Sequence, residues 1–357
     1  MAKTLHLHIG HFKTGTTALQ VFLARNPKLL ARHGLEYADA FRHHAKHSGL
    51  AFPIYRAAGV TRLMHGYDAP DTPEDRWTTM FDAVRASRRD AVIVSSEEFM
   101  RLGGITAACE MLPRLAALAP DIRVRVIAYL RTPDAHLRSW YNQLVKMRVK
   151  VPDFTTAVHE AIEPVHIDYA LALRPWIETF GADNLILRPY DDSFRNGTGL
   201  YADFLSLFGI ELPDRRKLSL PEGDPNPRLD DRTLEIVRLM QNAGASPKLV
   251  KQLQARALSY FEAEGTPQTI LDEVNARIRT GLSALTALPH SSVDTEFFSE
   301  RLPQPEDPDR IEQLRMTGFL LREINLLRGR LNKALPEINA RLDALEADTK
   351  NDTKDPT

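Results

Sequence analysis

The feature that most constrains this chain lies near its start, where Leu5-His6-Leu7-His8-Ile9 runs directly into Gly10-His11-Phe12-Lys13-Thr14-Gly15-Thr16-Thr17. The first run reads as a buried or half-buried strand. Leu19, Phe22 and Leu23 then recur at helical spacing in a segment that begins near Gly15 and reaches about Ala31. A glycine-bearing turn between strand and helix aims backbone N–H groups and the positive end of the helix dipole at one point, which suits an anion. It also commits the chain to strands that alternate with helices.

Three more segments read as strands: Ala91 to Ser95, Val124 to Leu130 and Asn184 to Leu187. The expected fold is α/β, a mostly parallel sheet flanked by helices with a P-loop-like phosphate-binding loop, plus a helical C-terminal extension. The nucleotide-binding core is expected over residues 1–210, with an irregular insertion at about 41–75 suited to acceptor binding. A mainly helical part is expected over 211–347, and a polar, disordered tail over 348–357.

Near the end, Ile311, Leu314, Leu320, Ile324, Leu327, Leu331, Leu335, Ile338, Leu342 and Leu345 recur mostly three or four apart, as on an amphipathic helix. Pro336 is expected to break or kink it, and the spacing slips between Leu331 and Leu335. The stripe therefore has two readings: packing on its own domain, or a partner helix, including a homodimer.

With 46 basic and 47 acidic side chains the chain carries no global field for nucleic acid or an anionic membrane, so anion binding must be local. Cys109 is the single cysteine, which excludes an intramolecular disulfide and suits a reducing compartment. No secretory-type stretch and no membrane-length apolar run is present, and a soluble, cytoplasmic protein is expected.

Gly10 and Gly15 fit the G-x-x-x-x-G frame of an ATP or GTP loop, whose next residues would be Lys and Ser or Thr. Here they are Thr16 and Thr17, and the loop lysine is Lys13. A cation there can stabilise charge developing on a leaving oxygen, while Thr14, Thr16 and Thr17 add hydroxyl donors. The run from Phe12 to Thr17, followed by Ala18-Leu19-Gln20, resembles the 5′-phosphosulfate loop of sulfotransferases that use 3′-phosphoadenosine 5′-phosphosulfate (PAPS), bacterial members in particular. The plainer reading is a turn that merely caps a helix.

A second element points the same way. The strand Val124 to Leu130 ends in Arg131-Thr132-Pro133, with Ser139 eight residues after the arginine. Arginine at a strand end offers a planar fork to phosphate, and a serine on the following helix can donate to the same oxygens. Thr132 can cap that helix, and Ser139 then lies on roughly the same face. This spacing is similar to the family's 3′-phosphate motif; a structural salt bridge is the alternative for Arg131. Asn226-Pro227-Arg228 is a weaker candidate contact, and the Arg/Lys-Gly-x-x-Gly motif of cytosolic members is absent.

For the base, Ser96-Glu97-Glu98 at the end of the Ala91 strand is similar to bacterial members and favours Glu97. Ser96 as a helix cap, with both glutamates serving the dipole, is the competing reading. Glu98, His11, His6 and His8 are rival bases. His43, His44 and His47 share a face only if helical, no acidic or cysteine ligand completes them, and no metal is expected.

The resemblance thus implies transfer of a sulfuryl group from PAPS to a hydroxyl or amine acceptor, possible classes being a carbohydrate or a small metabolite. The cofactor-binding residues would be Lys13, Thr14, Gly15, Thr16, Thr17, Arg131 and Ser139, and the catalytic ones Lys13 and Glu97. The alternatives are a P-loop-type nucleotide kinase and a non-catalytic nucleotide-binding or coiled-coil interaction protein.

Overall fold

Five strands, β1 (Thr4–Gly10), β2 (Leu35–Tyr37), β3 (Ala91–Ser95), β4 (Arg123–Arg131) and β5 (Leu185–Tyr190), pair in parallel in the order β2-β3-β1-β4-β5. This computed structural model describes residues 3–352 apart from 62, 64–66, 196, 222–227, 230, 262–271, 287, 289–293 and 304–307. The α/β architecture expected from the sequence is the one observed, with β2 added to the expected strands.

β1 occupies the centre, with Thr4 opposite Ala91 on one side and Arg123 on the other. After β1 the chain fills β2 and β3 on one side, then crosses to β4 on the other. The carboxyl end of β1 is thus the point where strand order reverses, the place where open α/β sheets bind ligands. The register against β4 shifts between His8 and Gly10, where the chain leaves the sheet.

The helix Thr16–Arg25 lays Leu19, Phe22 and Leu23 on the sheet beside Tyr201, Phe204 and Leu205 of the helix Gly199–Ser206. Phe22 stacks on Tyr201 with ring centroids 4.3 Å apart. His6 and His8 point into this same layer, at 4.9 Å from the Phe208 ring and 5.8 Å from that of Phe204. Burial holds their pKa values down to about 4 and about 3, with Arg125 adding to the shift of His6, so neither serves as the rival base.

The 41–75 insertion is not irregular throughout. It contains the helix Ser48–Ala57, which continues through Pro53, and the start of Pro73–Ala86, where Thr72 and Asp75 form a reciprocal capping box. Helix formation begins only at Ser48, so His43, His44 and His47 do not share a helical face. His43 and His44 meet edge to face, whereas buried His47 bonds the Ala38 carbonyl oxygen.

Two compact units divide the chain. The first comprises Met1–Tyr141, Thr155–Arg228 and Ile270–Gln304 and contains the sheet. The second comprises Asn142–Phe154, Leu229–Thr269 and Pro305–Thr357. Within the second, Asn325 of the helix Pro308–Asp352 donates to the Ala243 carbonyl oxygen at 2.8 Å. That helix passes through Pro336 without a break and runs to Asp352, beyond the point where a polar tail was expected to begin. Asn332 and Pro336 are both exposed, so the carbonyl that loses its partner faces water. No described helix is long and apolar enough to cross a membrane.

Candidate functional site

From Gly10 to Thr17 the chain makes a tight turn that needs unusual backbone at three positions. Gly10 has φ of +100°, Lys13 of +64° and Gly15 of +71°. For Lys13, the left-handed region costs on the order of 1–2 kcal/mol, so neighbours must hold it. They do so through His11, whose N–H donates to the Tyr129 carbonyl at 2.8 Å and whose own carbonyl accepts from Thr14 Oγ1 at 2.5 Å. Gly15 is the N-cap of Thr16–Arg25, yet no side chain caps that helix and no acidic residue sits in its first turn. A helix start left in this condition keeps its N–H groups for an anion. The simple capping role for the threonines is not what the structure contains.

Gly10 also brings a second strand end to the loop. A Cβ on Gly10 would stand 3.2 Å from Glu97 Cα, so the glycine lets the end of β3 approach. The Ser96 N–H donates to the His8 carbonyl at 3.0 Å. Glu97 Oε2 accepts from Gln20 Nε2 at 2.9 Å, and Glu97 Oε1 lies 3.3 Å from Lys46 Nζ. Lys46 also donates to Glu98 Oε1 at 2.9 Å, and Ser96 Oγ donates to Glu98 Oε2 at 2.7 Å.

The two carboxyls therefore diverge. Burial, followed by the charge of Glu98, raises the pKa of Glu97. Burial also opposes ionisation of Glu98, but the Lys46 ammonium and the Ser96 hydroxyl outweigh it and hold Glu98 below its ordinary value. Glu98 is a buried, paired anion, while Glu97 retains 12% side-chain exposure and is the better proton acceptor. Ser96 serves Glu98 rather than capping a helix.

At the end of β4, Arg131 is only 2% exposed. Its Nη2 bonds Asp192 at 2.5 and 2.6 Å, so the ion pair weighed for this residue does exist. It uses one nitrogen of three. Nε and Nη1 are buried with no partner among the described residues, and so is Oγ of Ser139 on the helix Pro133–Lys146. That helix starts as expected, with the His136 N–H donating to the Thr132 carbonyl at 2.8 Å. Buried donors without partners cost about 1–3 kcal/mol each, and such groups mark places where a polar ligand completes the structure. They fit a phosphate, which accepts from a guanidinium edge and a hydroxyl together. Asn226 and Pro227 lie outside the described residues.

Beneath the loop, His11, His136 and His166 form a cluster that sequence reasoning missed, because three distant segments supply it. His11 Nε2 meets the Val165 carbonyl at 2.9 Å and His11 Nδ1 accepts from the Phe12 N–H at 2.8 Å, which makes it a neutral Nε2–H tautomer. Burial brings its pKa down to about 4, against the bond to Val165, so His11 is no general base. His136 Nε2 and His166 Nδ1 share one hydrogen bond of 3.0 Å, which leaves His136 Nδ1 and His166 Nε2 without partners. Each of the three offers a ring nitrogen, all within 4.8 Å of one another, a spacing that a metal ion could bridge in place of the His136–His166 hydrogen bond. Trp140 stacks on His166 at 4.0 Å and contacts Phe12 at 5.0 Å, so the cluster buttresses the loop from below.

No family model matches the chain. A curated protein of Archaeoglobus fulgidus, described as uncharacterized, is 31% identical over 159 residues, which span 44% of this chain and 40% of that protein. Among solved structures, a sulfotransferase from Alicyclobacillus acidocaldarius is similar over 74% of this chain and 98% of its own, at 16% identity and a TM-score of 0.40.

Proposed function

We propose that this chain is a sulfotransferase that passes the sulfuryl group of PAPS to a hydroxyl or amine acceptor, with carbohydrates and small metabolites as the candidate classes. The observation that carries the reading is the set of buried donors on Arg131 and Ser139, on the strand next to β1 and on the helix after it. A purely structural ion pair gives no reason to bury two further guanidinium nitrogens without partners, whereas a 3′-phosphate takes both and the hydroxyl.

The backbone N–H groups of Thr14, Gly15, Thr16 and Thr17 and the hydroxyls of Thr16 and Thr17 hold the 5′ end, supported by the uncapped helix start, while the Thr14 hydroxyl braces the loop on the His11 carbonyl. In the transfer the acceptor oxygen or nitrogen forms a bond to sulfur, the bridging S–O bond to the 5′-phosphate breaks, and adenosine 3′,5′-bisphosphate leaves with the electron pair. Lys13 stabilises the negative charge on that leaving phosphate. Glu97 takes the acceptor's proton, and Gln20 and Lys46 fix its carboxylate in place. A cytoplasmic setting belongs to the same reading and is supported by the single free Cys109.

Calorimetry with adenosine 3′,5′-bisphosphate and with ATP tests the proposal. The expected result is magnesium-independent binding of the bisphosphate, weakened about 10- to 100-fold in Arg131→Ala, as loss of charged hydrogen bonds predicts. A magnesium-dependent preference for ATP makes the chain a nucleotide kinase instead. Binding of neither reduces the loop to a structural turn.

A further inference from the structure

Eight large apolar side chains stand exposed among the described residues, and six of them lie on the helix Pro308–Asp352: Ile324, Leu331, Leu335, Ile338, Leu342 and Leu345. One heptad frame holds all six. With Leu335 at position a, Ile338 falls at d, Leu342 at a and Leu345 at d, while Leu331 and Ile324 occupy the preceding d positions. The spacing therefore does not slip at Leu331; the residue out of frame is Leu327, and the a position beside it is Arg328. Pro336 falls at b, on the solvent side of such a seam, where it removes a backbone bond but no seam contact.

From Leu331 to Glu346 every residue of the helix is exposed except half-buried Ala334, so nothing described in the chain covers this stripe. A stripe that repeats every seven residues drifts about 20° per heptad around a straight helix. A flat surface loses such a stripe, whereas a second helix tracks it by supercoiling. The charges beside the seam choose the partner. Arg341 at g and exposed Glu346 at e lie five residues apart, so in a parallel, in-register pair each Arg341 meets Glu346 of the partner subunit. An antiparallel pair sets g against g and e against e, so within residues 331–346 Arg341 has no acidic residue to meet and the Arg341–Glu346 pair is lost.

We infer that residues 331–346 form a parallel coiled coil with a second copy of this chain. The inference is independent of the sulfotransferase reading, because none of these residues belongs to the donor site. Light scattering or sedimentation of the full chain over a concentration series should give twice the 40.3 kDa chain mass. The double variant Ile338→Lys/Leu342→Lys should fall to the mass of one chain, with circular dichroism and nucleotide binding unchanged. Glu337→Lys, at the outward c position, should keep the assembly. Ile338→Cys in a Cys109→Ser background should form a symmetric interchain disulfide under mild oxidation.

A wild-type chain that stays monomeric to its solubility limit overturns the inference, as does a double variant of unchanged mass. An assembly that forms no disulfide through Ile338→Cys overturns the parallel register. A monomer that floats with phosphatidylcholine–phosphatidylserine vesicles also overturns it, and assigns the stripe to a lipid surface.

Discussion

Glu97 and Glu98 share one lysine yet move in opposite directions, and that divergence is the most testable chemistry at the residue scale. A base must be ionised, so activity should rise with pH through the raised pKa of Glu97 and fall away below it. Glu97→Gln should lower kcat about 100- to 10,000-fold and abolish that acid limb, as measured by pH–rate profiles with labelled donor. Lys46→Ala removes the cation from both carboxyls. It should shift the acid limb upward and destabilise the fold by about 3–5 kcal/mol, because Glu98 is left buried without its partner. An unchanged pH profile in Lys46→Ala would refute the coupling. Lys13, Glu97, Arg131 and Ser139 were legible in the sequence as candidates because each sits in a local run whose chemistry is readable by itself. Lys46, Gln20 and Asp192 were not, since they meet their partners only through the fold.

At the scale of elements, the strand–loop–helix unit explains why legibility was uneven. Long apolar strands and the glycine loop announce themselves. β2 has three residues, too few for a periodic signal, and owes its place to pairing with β3. The helix Ser48–Ala57 was hidden by Gly49 and Pro53, both poor helix formers that tertiary packing overrides, with Leu50, Phe52, Ile54 and Tyr55 all buried. Gly15 joins loop to helix with no space to spare: a Cβ there would stand 2.6 Å from Leu200 Cδ2 and 3.1 Å from Tyr190 Cε2. Gly15→Ala should cost about 1–3 kcal/mol from crowding, beyond the left-handed backbone penalty. Thermal unfolding and bisphosphate titration should both register it; a variant with normal stability and affinity would remove Gly15 from the site.

For the whole molecule, the buried histidines set the response to acid. Burial holds His6, His11 and His47 at pKa values of about 4 and His8 at about 3, against an ordinary 6.5. Between those values the unfolded chain binds protons that the folded chain refuses, so stability falls as pH drops below about 6.5 and continues to fall toward pH 4. The slope should be on the order of 1 kcal/mol per histidine per pH unit. Melting temperatures should therefore decline steeply from pH 7 to pH 4.5, and a flat profile would contradict the buried neutral state. Burial holds His136 and His166 down as well, so although the raised carboxyls Glu97 and Asp134 pull the other way, they are two groups against six.

The ion pairs of Lys46 have a consequence for redesign. Lys46 belongs to the 41–75 segment, the place expected to recognise the acceptor, yet its ammonium is bonded to both glutamates at the end of β3. A graft that exchanges this segment to change the acceptor removes at the same time a counter-ion from Glu97, the base proposed above. Chimeras should keep Lys46, together with Ala45, whose carbonyl accepts from the Tyr37 hydroxyl at 2.5 Å, and confine the exchange to residues beyond Lys46. The segment proposed for acceptor choice can then be exchanged while the counter-ion of the proposed base stays in place.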